Sequence, residues 1–218
     1  ITRQKPKILI NSSFHPTDPD FQLSPLIKSL KKADYLWTLT QFETNYFIKN
    51  FKINRNKLIL AGNGIDSHFL IKKSPRYHQH PVILFIGSLS AHKRVDLLLK
   101  SFSLLSKNNL FQARLIIAGQ KTLFYPQIKK TYNSLPPKVK TKIKFMFNFK
   151  QSKLANLIDN CTLLVLPSVQ GSFGLVLIES WARKKPVIVS NISPLSELVT
   201  KTQGGLIFKQ DNQFDLFR

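Results

Sequence analysis

From residue 82 onward the chain repeats one pattern: a short unbroken apolar run, a polar turn, then a stretch with apolar residues at helical spacing. "VILFIG" (82–87), "ARLIIAG" (113–119), "KIKFMFN" (142–148), "TLLVLP" (162–167), "PVIVS" (186–190) and "GLIF" (205–208) have the length and β-branched content of buried strands. "VDLLLKSFSLL" (95–105), residues 124–134, "KLANLID" (153–159), "LVLIESWARK" (175–184) and "PLSELVTK" (194–201) read as the helices between them. Strands that are apolar throughout are covered on both faces, which requires a parallel sheet between two helical layers. Right-handed crossovers then give an α/β, Rossmann-like doubly wound parallel sheet. Upstream, "KILIN" (7–11), "ADYLWTLT" (33–40), "QFETNYFIKNF" (41–51) and "KLILAG" (57–62) repeat the alternation but supply only part of a sheet. The segment "NGIDSHFLIKKSPRYHQHP" (63–81) is polar, basic and broken by prolines, as an interdomain connection is.

A hydrophobic content of 43% with 17 Phe is enough to build a real core, which excludes wholesale disorder. No apolar run approaches the roughly 20 residues of a membrane span. One cysteine, Cys161, offers no internal disulfide and points to a reducing, cytoplasmic setting. The formal charge of +22 admits nucleic acid, an anionic membrane surface or phosphorylated small molecules as partners, and equally a surface that is simply well solvated. The basic residues are scattered and no basic-aromatic motif stands out, so nucleic acid is not expected. His78 and His80 lack nearby Cys or carboxylate partners and read as connection residues, not metal ligands. The chain begins with Ile and ends on "DNQFDLFR" with no obvious finishing element, so a piece of a longer polypeptide is expected.

In an open parallel sheet, ligands bind where strand carboxyl ends lead into helices. Three such turns carry informative residues. After the strand at 82–87, "GSLSAHKRVD" places Gly87 at a tight turn and Lys93 beside a helix start, where an anion would meet both the ammonium and the helix dipole. The bland alternative is one more exposed lysine, with His92 beside it on the surface. After the next strand, Gly119 allows close approach of a ligand to backbone. In "VQGSFGLVLIESWARK", Gly171 and Gly174 flank Ser172 and Phe173 just before a helix whose first amides are free to bind phosphate. Glu179 lies one and a half turns further on among apolar residues, where it needs hydrogen-bond partners. Ribose hydroxyls are one candidate; Arg183, at the favourable i+4 position, is the other.

Taken together these segments resemble the retaining, nucleotide-sugar-dependent glycosyltransferases of family four, whose GT-B fold consists of two Rossmann-like domains. The resemblance runs from Ala33 to Phe208 through "ADYLWTLTQFE", "INRNKLILAGNGID", "LFIGSLSAHKRVDLLLKSF", "LIIAGQ", "IKFMFNFKQSKLANLIDNCTLLVLPS", "SFGLVLIESWARKKPVIVS" and "GGLIF", in family order and spacing. It implies the tail of an acceptor-side domain over 1–66, a linker over 67–81 and a donor-binding domain over 82–218. Lys93 would neutralise the donor diphosphate, helped by Gly87, Ser88, Gly119 and the backbone from Ser172 and Phe173 to Gly174 and Leu175. Glu179 would hold the ribose and Phe149 would border the base. The resemblance further implies a nucleotide-diphosphate-sugar as donor, no metal cofactor, and a glycolipid, lipid-diphosphate or polysaccharide acceptor. It suits a place at the inner face of the membrane in contact with anionic lipid.

Four positions depart from the family pattern. Gly171 stands where the first of two glutamates separated by seven intervening residues is usual, next to the anomeric centre, and Ser172 stands where a glycine usually follows it. Ser88 replaces an arginine that contacts phosphate, and Lys185 replaces a glycine before "PVI". The family histidine near the reaction centre has no counterpart, and His15 lies too close to the domain tail for that role. These departures leave open a second expectation, a degenerate module that binds nucleotide without transferring sugar.

Overall fold

In the computed structural model, residues 7–11, 24–70, 79–107, 112–171 and 173–218 are described. The chain divides into two compact units, Ile1–Gly64 with Gln170–Phe173, and Ile65–Val169 with Gly174–Arg218. Of the expected connection over 67–81, residues 71–78 lie outside the described set, His78 among them, as does His15.

The first unit holds a three-stranded parallel sheet of β1 (Leu9–Asn11), β2 (Tyr35–Thr38) and β3 (Leu58–Leu60), in that order. Helices α1 (Ser24–Lys32) and α2 (Gln41–Phe51) complete it. Thr40 caps α2 by accepting from the Glu43 amide, and the buried Glu43 carboxylate accepts from the Leu39 amide at 2.6 Å. Those two bonds satisfy orphan amides at the helix start. Leu30, Leu36, Phe47, Phe51 and Leu58 form the core.

The second unit is built on a six-stranded, all-parallel sheet of β4 (Val82–Ile86), β5 (Arg114–Ala118), β6 (Ile143–Met146), β7 (Leu163–Leu166), β8 (Val187–Ser190) and β9 (Gly205–Phe208). Its order is β6-β5-β4-β7-β8-β9. The chain lays down β4, β5 and β6 outward in one direction, returns to the far side of β4, and continues as β7, β8 and β9. The order therefore reverses between β4 and β7, which creates a crevice at their carboxyl ends. Leu84, Phe85, Leu115, Ile117, Leu164, Val187 and Val189 are buried in these strands, which explains their unbroken apolar character. Helices α3 (Val95–Lys107), α4 (Tyr125–Asn133), α5 (Pro137–Lys140), α6 (Leu154–Asp159), α7 (Leu175–Ala182) and α8 (Leu195–Thr202) run between strands. Finally α9 (Gln213–Phe217) packs against α3, where Ser101 donates to the Gln213 carbonyl.

The doubly wound expectation holds. Three helices were not expected, α1, α5 and α9. At α9, Asn212 supplies the missed signal: its side chain accepts from the amides of Phe214 and Asp215.

Candidate functional site

The loops after β4 and β7 are the two that flank the crevice, and they are tied together by the Val169 amide donating to the His92 carbonyl at 2.8 Å. In the β4 loop, Ser88, Ser90 and the His92 ring form a chain of polar contacts at 3.1 to 3.4 Å. Ala91–Lys93 is a 3-10 turn, and Arg94 follows in left-handed conformation, paired with Asp211 at 2.9 Å and facing Asp96 at 3.4 Å. With Arg94 so engaged, Lys93 is the cation left over. Its Cε lies 4.0 Å from the position a Gly87 Cβ would take, and none of the ion pairs among the described residues includes it. Burial pushes the Lys93 ammonium below its ordinary pKa. A partly desolvated cation without a carboxylate gains most from an incoming anion.

Beside this lysine is a cavity of about 230 Å³ lined by Ile86, Gly87, Ser88, Gly119, Gln120, Asn148, Phe149 and Gln151. It unites Gly87, Ser88, Gly119 and Phe149 at the carboxyl ends of β4, β5 and β6. Drug-sized ligands occupy roughly 300 Å³ or more, so this space suits one moiety of a larger molecule. Gly119 is required by more than a ligand: a Cβ there would stand 1.7 Å from the Gly87 carbonyl oxygen of the neighbouring strand. Gln120, Asn148 and Gln151 were not singled out by sequence. Asn148, in left-handed conformation right after a strand, carries the only local signal among them.

The β7 loop leads into α7 through Gly174, whose φ of 72° and 2.7 Å Cβ approach to Leu195 admit no side chain. No side chain caps α7, and with the Leu177 amide donating to the Gly174 carbonyl at 2.8 Å, the amides of Leu175 and Val176 keep their hydrogen-bonding capacity. Ser172 lies outside the described residues. Gly171 and Phe173 are buried and group with the first unit, where the Phe173 ring comes within 3.4 Å of the Cβ position of Gly62.

Glu179 sits on α7, half-buried and outside the cavity lining. The alternative partner, Arg183, does not pair with it. Arg183 instead grips Asp159 through two contacts, Nε–Oδ1 at 2.6 Å and Nη2–Oδ2, and its Nη1 donates to the carbonyls of His68 and Phe69 at 3.5 Å. Among the described residues the Glu179 carboxylate has no ion pair. Burial raises its pKa, and the nearby His68, which pairs with Asp66 at 3.0 Å, pulls weakly the other way. Sequence reasoning missed His68, which lies far from Glu179 along the chain. Lys185 is buried, and Cys161 is a buried thiol pushed up to about 12. Among the described residues no three His, Cys, Asp or Glu side chains cluster as metal ligands. Likewise, no helix among them is long and apolar enough to cross a membrane.

A doubly wound parallel sheet, with an unpaired lysine in the loop after β4 at its switch point and a cavity beside it over the ends of β4, β5 and β6, is the architecture of a Rossmann-like domain. Comparison with known proteins makes the class specific. Residues 66–217 match the family model of the glycosyl transferases group 1, and the chain belongs to that family. It is 27% identical over 184 residues to an uncharacterized glycosyltransferase of Methanocaldococcus jannaschii, covering 84% of this chain and 48% of the relative. It is 24% identical over 185 residues to an O-antigen chain mannosyltransferase of Salmonella typhimurium, covering 85% and 49%. The chain thus spans about half the length of these relatives. The structure of Anabaena HepE in complex with UDP shares the fold, with a TM-score of 0.79 at 16% identity, over 97% of this chain and 60% of that one. WaaG, a glycosyltransferase involved in lipopolysaccharide biosynthesis, shares it with a TM-score of 0.73 at 16% identity, over 96% and 63%.

Proposed function

We propose that the second unit binds a nucleotide-diphosphate-sugar and that the chain serves in its transfer, with retention, to a glycolipid, lipid-diphosphate or polysaccharide acceptor. The observation that carries this reading is Lys93: a partly buried ammonium with no carboxylate partner, in the loop at the switch point and beside a cavity over the ends of β4, β5 and β6. Transfer of the glycosyl group leaves a nucleoside diphosphate, and the growing negative charge on its leaving oxygen is the main electrostatic demand. Lys93 meets that demand as a cation, and the uncapped amides of Leu175 and Val176 meet it as dipoles. Glu179, released from Arg183, accepts hydrogen bonds from ribose hydroxyls, and Phe149 borders the base. The same cation and amides do the work that a bound metal would otherwise do. UDP in the HepE structure and the O-antigen role of the Salmonella relative support the donor and acceptor classes.

The test is thermal denaturation with UDP, GDP and ADP. A ligand at 100 times its Kd stabilises by about 2.7 kcal/mol, so one of the three should raise the Tm clearly. Lys93→Ala and Glu179→Ala should each abolish the shift while leaving the unliganded fold intact. No shift with any of the three overturns the reading.

Gly171 favours a second reading. With no side chain where the family places a carboxylate, the chain would hold nucleotide and transfer nothing. Nucleotide binding without sugar release from any donor, in an assay supplied with the relatives' missing half, would select it.

A further inference from the structure

The donor cavity gives no role to Lys185, the lysine that departs from the family pattern just before β8. The residue is 4% exposed, yet among the described residues its ammonium has no ion-pair or hydrogen-bond partner. A lysine stem can pack against apolar neighbours while its head stays in water, but at this exposure the head is largely withdrawn from solvent. The groups nearby do not neutralise it. Burial pushes the Cys161 thiol up to about 12, so it stays neutral although the charges of Lys185 and Asp159 reach it. Asp159 itself is held through both oxygens by Arg183.

Lys185 and Lys184 line a cavity of about 470 Å³ whose walls include Trp181, Pro186, Gln203 and Leu206, and no acidic residue takes part in the lining. The turn that presents the two lysines is tightly specified. Lys184 takes φ 56°, a left-handed conformation that is costly for a residue with a Cβ. The amides of Lys184 and Lys185 donate to the carbonyls of Trp181 and Ser180 at 2.8 and 2.9 Å. The Trp181 indole is fixed in turn by donating to the Gly204 carbonyl at 2.9 Å. Val187 pairs with Gly205, so this cavity lies at the amino ends of β8 and β9. The donor cavity lies at the carboxyl ends of β4, β5 and β6, on the opposite edge of the same sheet.

We propose that this cavity is a second ligand site, for the phosphomonoester of a small organic molecule. Lys185 and Lys184 hold the phosphate, and Trp181, Pro186 and Leu206 cover the organic body. A buried ammonium left without a carboxylate is stabilised most by an incoming anion that it can hydrogen-bond. Two adjacent lysines and no acid match the two charges of a phosphomonoester better than the single charge of a carboxylate. The volume falls within the roughly 300–1,000 Å³ of small-molecule sites, so the space accommodates an organic body as well as the phosphate. The site lies away from Lys93 and Glu179, and its assignment does not rest on the donor-site reading.

The test is thermal denaturation of the 218-residue chain, titrated with phenyl phosphate or with inorganic phosphate at constant ionic strength. Phenyl phosphate should raise the Tm, and inorganic phosphate should need a higher concentration for the same shift. The phenyl phosphate shift should persist in Lys93→Ala, which removes the cation beside the donor cavity. Lys185→Met keeps the stem and removes the charge; it should weaken binding by roughly 10- to 100-fold and raise the Tm of the unliganded chain. Lys184→Gln, at the exposed lysine, should weaken binding by roughly threefold. No shift with either probe overturns the proposal, as does a shift that is lost in Lys93→Ala or intact in Lys185→Met. A lower unliganded Tm in Lys185→Met would assign the ammonium to the fold and overturn it too. Equal potency of the two probes would replace the ester by free phosphate. The probes carry no nucleoside, so failure here leaves the donor-site reading untouched.

Discussion

Glu179 and Lys93 are both charges that the fold holds at a cost. Burial disfavours the ionised carboxylate of Glu179, so its native pKa lies above that of the unfolded chain. Above the raised native value both states are ionised and the native state bears the full penalty. As pH falls through that value, the native chain takes up its proton first and the penalty is relieved. Glu179→Gln should therefore raise the Tm at high pH, with the gain shrinking as pH falls, while nucleotide binding weakens. A lower Tm at high pH would show that the carboxylate supports the fold rather than a ligand. Lys93 runs in the opposite sense. Its burial penalty is present below the lowered native value and relieved above it, so nucleotide affinity should fall as pH rises through a value below that of an ordinary lysine. A direct titration of binding against pH checks this.

At the scale of elements, α7 shows how a helix start is held open for use. Gly174 takes a left-handed turn that costs other residues roughly 1–2 kcal/mol, and Leu195 closes the space a Cβ would need. Gly174→Ala should lower stability by at least about that amount, read as a reduced denaturant midpoint with an unchanged slope. The central strands β4, β5, β7 and β8 were legible because they are largely buried on both faces and so carry unbroken apolar runs, whereas β9 carries such a run although Leu206 and Ile207 are exposed at the sheet edge. The loops after β4 and β7 were legible because strand-to-helix turns need glycine and polar residues. Other parts were not. In α1, Leu26, Ile27 and Leu30 make a stripe too narrow to stand out among lysines. Asn148 and Gln151 join the cavity only because β5 pairs with β6, with Ala118 opposite Met146, and no local pattern encodes that pairing. The proximity of His68 and Glu179, and the choice of Asp159 over Glu179 by Arg183, depend on segments far apart in the chain.

At the scale of the whole molecule, the core of the second unit contains its own reporter. Cys161 is fully buried and its thiol is pushed up to about 12, so the reactive thiolate is scarce and shielded in the native state. Alkylation should proceed only through opening of the unit, at a rate that denaturant increases and a bound nucleotide decreases. Rapid labelling in buffer would place Cys161 in a locally open region instead.

The approach of Gly119 to the Gly87 carbonyl has a consequence for how such a protein could change its preferences. That wall of the cavity is backbone against backbone, and a single added methyl group at Gly119 would collide with it. Diversity introduced there would be purged through misfolding before any donor was discriminated. Asn148, Phe149 and Gln151 also line the cavity, from the segment after β6. A library aimed at a different nucleotide should therefore randomise those three positions and leave both glycines alone.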